Sequence, residues 1–120
     1  MGKRKIDPSI WVYAKEGKDA EIILVMPNGL TYRKPIGNAT QTQADHLACQ
    51  EALKLAMHEE GRTKIYTESN VIIGQLIKRW NIKSNKKMAN KTRQIYNNMK
   101  NKVYILGTSK EKNKARHIAL

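Results

Sequence analysis

Two acids and a long series of bases stand where side chains can do chemistry. Asp45 shares helical spacing with Ala48, Cys49, Ala52 and Ala56, a stripe of small residues suited to close packing on a sheet, so its carboxylate sits off the solvated side. The other reading of Asp45 is an acid at a helix start, favoured by the helix dipole. Glu68 lies just after a strand-like run and just before Ser69, the junction at which open sheets present functional side chains; its other reading is a capping acid. Lys78, Arg79, Lys83, Lys86, Lys87, Lys91, Arg93, Lys100, Lys102, Lys110, Lys112 and Lys114 can meet phosphates, contacts that hold a nucleic acid without reading its sequence. As an alternative they form a solvated helical face. Trp80, Tyr96 and Tyr104 can stack on sugars or bases, although all three fall on apolar stripes, where a core role is the stronger reading. Other chemistries find no support. Cys49 is the only cysteine, so neither an intrachain disulfide nor a CxxC metal site can form. His46 and His58 do not share a metal-ligand spacing, no nucleophile–His–acid set can be read, and there is no Gly-rich phosphate loop.

The elements that must position these groups follow from the hydrophobic pattern. Ile10 to Ala14, Ala20 to Met26 and Leu30 to Arg33 read as a three-stranded antiparallel meander, with turns near Glu16–Asp19 and at Pro27-Asn28-Gly29. From Thr42 to Glu60 the period becomes helical (Ala44, Leu47, Ala48, Ala52, Leu55, Ala56), and Gly61 stands at the C-cap position. Lys64 to Thr67 reads as a strand, and Ser69 caps a helix with the stripe Ile72, Ile73, Leu76, Ile77 and Trp80. A third helix carries Met88, Thr92, Ile95, Tyr96 and Met99; Val103 to Leu106 is a last strand, and the tail turns helical near Ala115. The order, βββαβαβ(α), predicts an α/β mixed sheet with helices on its faces. At 120 residues with 40% hydrophobic content the chain is expected to be one domain, residues 1–120, of which residues 1–8 form a flexible N-terminal arm.

Charge is placed unevenly. Residues 1–69 hold 10 bases and 9 acids, whereas residues 70–120 hold 13 bases and the single acid Glu111, so nearly all of the net charge of +13 lies in the second half. Such asymmetry implies an anionic partner. Nucleic acid leads; an acidic protein partner is the alternative; no segment joins the charge to a broad apolar face, which argues against a membrane. The short apolar runs, the polar N-terminus and the lone cysteine predict an intracellular, cytoplasmic monomer.

Four local patterns in this order resemble the ribonuclease H type I family over nearly the whole chain. They are Thr40-Gln-Thr-Gln-Ala-Asp45, with Asp45 at the metal-binding acid of the first helix; Ile65-Tyr-Thr-Glu68-Ser69, with Glu68 at the acid of a strand end; Leu106-Gly107-Thr108; and Asn113-Lys-Ala115-Arg116-His117-Ile-Ala-Leu120. The resemblance implies two-metal phosphodiester hydrolysis of RNA–DNA hybrids, in which two divalent ions about 3.5–4 Å apart are held by carboxylates. It also implies departures. Asp and Glu are exchanged between helix and strand. The first strand's acid falls on Lys15, or on Asp7 in another register, with Glu16 adjacent. The fourth acid falls on Arg116, or on His117 in another register, an imidazole better suited to manganese or zinc than to magnesium. Thr40, Gln41 and Thr42 match the loop that grips the nucleic-acid backbone. The expectation is therefore a pseudoenzyme: a nucleic-acid-binding protein whose pocket pairs Asp45 and Glu68 with Lys15 and Arg116 and needs no cofactor. Lys83, Lys86, Lys87, Lys91, Arg93, Lys110, Lys112 and Lys114 then contact phosphates. The alternatives are an active nuclease that uses magnesium or manganese on Asp45, Glu68 and His117 with Asp7 or Glu16, and a protein-interaction module on the same fold.

Overall fold

The computed structural model describes residues 8–119. The arm assigned to residues 1–8 and the candidate acid Asp7 lie outside them, apart from Pro8, which proves to belong to the sheet: its carbonyl accepts from the Lys64 amide at 2.8 Å. The elements run β1 (Ser9–Lys15), β2 (Gly17–Val25), β3 (Thr31–Ala39), α1 (Gln41–Ala56), β4 (Thr63–Thr67), α2 (Asn70–Leu76), α3 (Lys86–Met99), β5 (Val103–Gly107) and α4 (Lys114–Ala119). One five-stranded sheet has the order β3-β2-β1-β4-β5, antiparallel across β3-β2-β1 and parallel across β1-β4-β5. This is the mixed α/β sheet that the sequence predicts, except that two helices, α2 and α3, lie between β4 and β5 where the order βββαβαβ(α) has one.

Alternation decides which face each strand buries. Ile10, Val12 and Ala14 of β1 pair in register with their neighbours and point toward α1, as do Ile22 and Leu24 of β2. Helix α1 can lie close on them because it presents Ala44, Ala48, Ala52 and Ala56, all at most 1% exposed. Leu53, Ile65 and Ile72 complete this core, each contributing about 1.5–3 kcal/mol by burial. Trp11, Tyr13 and Ile23 point to the other face, where α4 packs on β1 and β2.

The boundaries differ from the sequence reading at three places. The chain reverses between Lys15 and Glu21, where the sequence predicts a turn, but strand begins within that reversal: β2 starts at Gly17 and pairs there with β3, which runs on to Ala39 through register shifts around Ala20. Such a bulged ladder re-aligns two long strands, and Pro35 is tolerated in β3 because β3 is an edge strand. Helix α1 ends at Ala56 with Met57 as its C-cap, four residues short of Glu60. Helix α2 ends at Leu76, because the chain folds back to place the Trp80 ring where a side chain at Gly74 would stand, with the Trp80 amide donating to the Gly74 carbonyl at 2.9 Å. Trp80 is consequently 47% exposed and no part of the core.

Candidate functional site

Parallel β1 and β4 run side by side as far as Trp11 opposite Tyr66, and beyond that pair Tyr13 and Glu68 line the same pocket. A cavity of about 280 Å³ opens at these strand ends, walled by Tyr13, Ala14, Asp45, Glu68, Lys110 and Arg116 among others. Open α/β sheets take their ligands at the carboxyl ends of such strands. Two sequence-predicted acids are therefore brought together in one place, the helical one from the first turns of α1 and the other from the loop that leaves β4.

Glu68 is held on every side. The Arg116 guanidinium donates to it in a fork, Nε to Oε2 at 2.9 Å and Nη2 to Oε1 at 2.8 Å, the geometry in which Arg and carboxylate bind most strongly. Asn113 Nδ2 donates to Oε2 at 2.8 Å and also to the Val12 carbonyl at 2.8 Å, while its own Oδ1 accepts from the Ala115 amide at 3.1 Å. Fully buried Asn113 thus ties α4, β1 and Glu68 together. The Arg116 guanidinium also lies over the Tyr13 ring, 4.7 Å from its centre. The hydrogen bonds from Arg116 lower the Glu68 pKa against the opposing effect of burial, so this acid is ionised.

Asp45 is shifted the other way. Burial raises its pKa, partly offset by hydrogen bonds from Gln41 and Ser69, and the nearby charges of Glu68 and Glu16 push it further up. Gln41 Nε2 bridges the Ala14 carbonyl and Asp45 Oδ1, both at 2.9 Å, so its two amide hydrogens are both used inside the protein. Thr40 forms a capping box with Gln43, and Glu16 accepts from the Gln41 backbone amide at 3.0 Å. Thr40 and Gln41 start α1 and seat Asp45, and both remain exposed. Thr42 is half-buried in the same turn.

Several sequence assignments are corrected. Lys15 is exposed at the last position of β1 and does not wall the cavity; two residues earlier, Tyr13 takes the place beside Glu68. His117 is exposed, with Nε2 2.6 Å from the Glu111 carbonyl oxygen, and does not line the pocket. Arg93 Nη2 donates to the carbonyls of Gln75 and Trp80 at 3.0 and 2.8 Å, closing the α2–α3 connection. Lys102 Nζ donates to the Glu59 carbonyl at 2.6 Å. Tyr96 packs against the core, as its apolar stripe favours, and Tyr104 is half-buried. Cys49 is buried, its thiol pKa pushed up to about 12 by desolvation, which leaves it no role as a nucleophile. Sequence spacing misses Tyr13 and Asn113: the first shows only in the folded pocket, and the second carries no charge to mark it.

The remaining bases keep to the surface. Lys110 walls the cavity, and Lys83, Lys86, Lys87, Lys91, Lys112 and Lys114 are exposed. Gln43 of α1 reaches Asn85 at 3.5 Å, which sets the start of α3 beside the pocket end of α1. That start is electrostatically unfavourable: Lys86 and Lys87 occupy the first turn, no acid accompanies them, and Asn85 makes no side-chain cap. An anion placed there relieves the conflict.

The residues present do not fit a pair of divalent cations. Hard cations need several oxygen ligands, yet Tyr13 and Arg116 stand at two of the walls. Both oxygens of Glu68 already accept from Arg116, and among the described residues no group of three or more His, Cys, Asp or Glu side chains could hold a metal.

No family model and no curated protein matches the sequence. Solved structures do match the fold. An RNase H1 isolated from compost by a metagenomic approach, LC11-RNase H1, aligns with a TM-score of 0.76 at 21% identity, covering 93% of this chain and 91% of the other. RNase H1 from the halophilic archaeon Halobacterium salinarum NRC-1 aligns with a TM-score of 0.70 at 18% identity over 93% and 92%. LC11-RNase H1 in complex with an RNA/DNA hybrid aligns with a TM-score of 0.71 at 17% identity over 90% and 89%. With this sheet order and these neighbours, the chain has the ribonuclease H fold.

Proposed function

We propose that this protein binds RNA–DNA hybrids or a related duplex through the ribonuclease H fold and does not hydrolyse them. The observation that carries the reading is the Glu68–Arg116 fork inside the strand-end cavity. A guanidinium fixed on one of the two remaining acids neutralises it with a side chain, where hydrolysis by this fold would call for a cation pair. The same arrangement leaves Arg116 and Lys110 at the mouth of the cavity as positive groups for a phosphate. Burial also raises the Asp45 pKa, which weakens the charge that would oppose a phosphate there. The exposed lysines of α3 and of the loop before α4 extend the positive surface, and such contacts position a duplex by shape and backbone. The hybrid bound by LC11-RNase H1 supports this class of ligand.

The test is a labelled hybrid incubated with the protein in magnesium or in manganese, with Asp45→Asn as control, beside binding measured across a salt series. The expected result is no cleavage in either metal and an affinity that falls steeply with salt. Cleavage that disappears in Asp45→Asn would overturn the loss of catalysis. Binding insensitive to salt would overturn the phosphate contacts.

A further inference from the structure

The face of the sheet turned away from α1 carries a second constellation, separate from the strand-end pocket. Alternation places Val25, Trp11, Tyr66 and Leu106 in one row across β2, β1, β4 and β5, and Ser9, Lys64 and Tyr104 in the next. Helix α4 packs on β1 and β2 and seals Ile23 completely, while the four residues of the first row remain half-buried. Trp11 and Tyr66 are stacked, with ring centres 4.2 Å apart and planes 15° apart. Lys114 Nζ lies 5.6 Å from the centre of the indole, and the Arg62 guanidinium lies 3.6 Å from the centre of Tyr104. An open hollow beside the indole is walled by Ser9, Trp11, Met26, Pro27 and Lys114.

A cross-strand aromatic pair is worth a few tenths of a kcal/mol to about 1 kcal/mol to a sheet. That accounts for the pair but not for its setting. Neither row contains an acid, whereas Lys64, Lys114 and Arg62 all border them. Rings standing on a sheet with cations at their margin suit a ligand that offers flat π-faces and a negative backbone together. A duplex keeps its bases stacked within itself and cannot offer their faces; a single strand can.

We propose that the Trp11–Tyr66 face binds unpaired bases of single-stranded nucleic acid. A base stacks on the open side of the Trp11 indole, within the hollow, and Lys114 leaves the ring for the adjoining phosphate. The site does not depend on the duplex reading of the strand-end cavity.

The experiment uses the full chain with Trp80→Phe, so that Trp11 is the only tryptophan, titrated with oligo-deoxythymidine, with a blunt hybrid and with polyglutamate. Oligo-deoxythymidine is expected to quench Trp11 emission saturably, and the other two to leave it nearly unchanged. Trp11→Ala is expected to weaken oligonucleotide binding by roughly 5- to 100-fold, the range of one base–aromatic stack, with Trp11→Phe restoring most of it should the alanine variant melt early. Lys114→Glu, at an exposed position, is expected to weaken oligonucleotide binding by about 10-fold, as the loss and reversal of one phosphate contact implies. Saturable oligonucleotide binding without quenching, or with full affinity in Lys114→Glu, overturns the site. Equal quenching by polyglutamate also overturns it and identifies the face as a dock for an acidic protein. Loss of hybrid binding with the oligonucleotide quench intact refutes the duplex reading alone.

Discussion

Asp45 and His46 are consecutive on α1, and the helix delivers them to two unlike polar clusters. His46 turns toward α3 and is 1% exposed. Its Nδ1 lies 3.0 Å from Thr92 Oγ1, and that hydroxyl accepts from Gln50 Nε2 at 2.9 Å while donating to the Met88 carbonyl at 3.1 Å. Every member is neutral, and burial lowers the His46 pKa to keep it so. Asp45 turns instead toward the strand ends, into a cavity that holds Glu68, Arg116 and Lys110. A sealed neutral network fastens α3 to α1; an open charged cluster one residue away leaves its groups reachable. Buried polar groups tie elements together and open ones stay reachable, and four variants probe that division.

His46→Ala is expected to have the largest effect. It opens a cavity in a fully buried site and strands the Thr92 hydroxyl and Gln50, a loss of about 2–5 kcal/mol on the scale of large-to-small core substitutions, read by urea unfolding with an unchanged slope. A loss under about 1 kcal/mol would show that α3 is not fastened this way.

Next comes a gain. Tyr13→Asp combined with Arg116→Asp surrounds the cavity with four carboxylates: those two, Asp45 and Glu68. The double variant is expected to melt at a lower temperature without metal and to be stabilised by manganese, by about 2.7 kcal/mol at a concentration 100 times its Kd. The natural chain is expected to show no such rise. Manganese stabilising both proteins equally would mean that the fork does not block cations.

Asn113→Ala should cost about 1–3 kcal/mol, the penalty for leaving the buried Val12 carbonyl without a donor. The Glu68–Arg116 pair keeps its own two bonds, so hybrid binding should change less than stability does. Parallel measurement of unfolding and hybrid affinity separates the two.

How much of this was legible beforehand depends on whether the signal is local. The alanine stripe of α1, the Pro27-Asn28-Gly29 turn and the Ser69 cap all stand in the sequence as the structure uses them: Gly29 takes a φ of 86°, and Ser69 accepts from the Ile72 amide at 3.2 Å. Asp45 was legible because a charge on a packing face is conspicuous, Glu68 because it follows a strand-like run and precedes a helix cap, and Arg116 only through the family resemblance. The length of β3 was not, because Pro35 and Gly37 argue against a strand and only the edge position, a property of the whole sheet, admits them. Lys15 was set against Asp7 and Tyr13 was passed over for the same reason: spacing within β1 cannot reveal which residue will line the pocket with Glu68. The polar ties of Arg93 and Lys102 escaped notice because a base holding backbone carbonyls has the same one-letter code as a base facing solvent.

The smallest effect belongs to Asp45→Asn, and its sign is the informative part. Because the folded pKa of Asp45 is raised above 3.8, the native state holds that proton more tightly than the unfolded chain does, so stability from this group falls as pH rises through the window from 3.8 to the raised value. Its neighbours tilt the opposite way. Glu68, lowered from 4.5, adds stability that is present above 4.5 and lost as pH falls through its folded value. His46, lowered from 6.5, adds stability present above 6.5 and lost as pH falls through its folded value. Thermal melts of the natural chain across acid pH therefore superpose opposing slopes. Asp45→Asn should remove only the term that favours low pH, so that the variant gains stability at pH 7 and declines more steeply on acidification. A variant less stable than the natural chain at pH 7 would mean that the Asp45 carboxylate is needed ionised in the pocket, and would return a cation-binding role to this site.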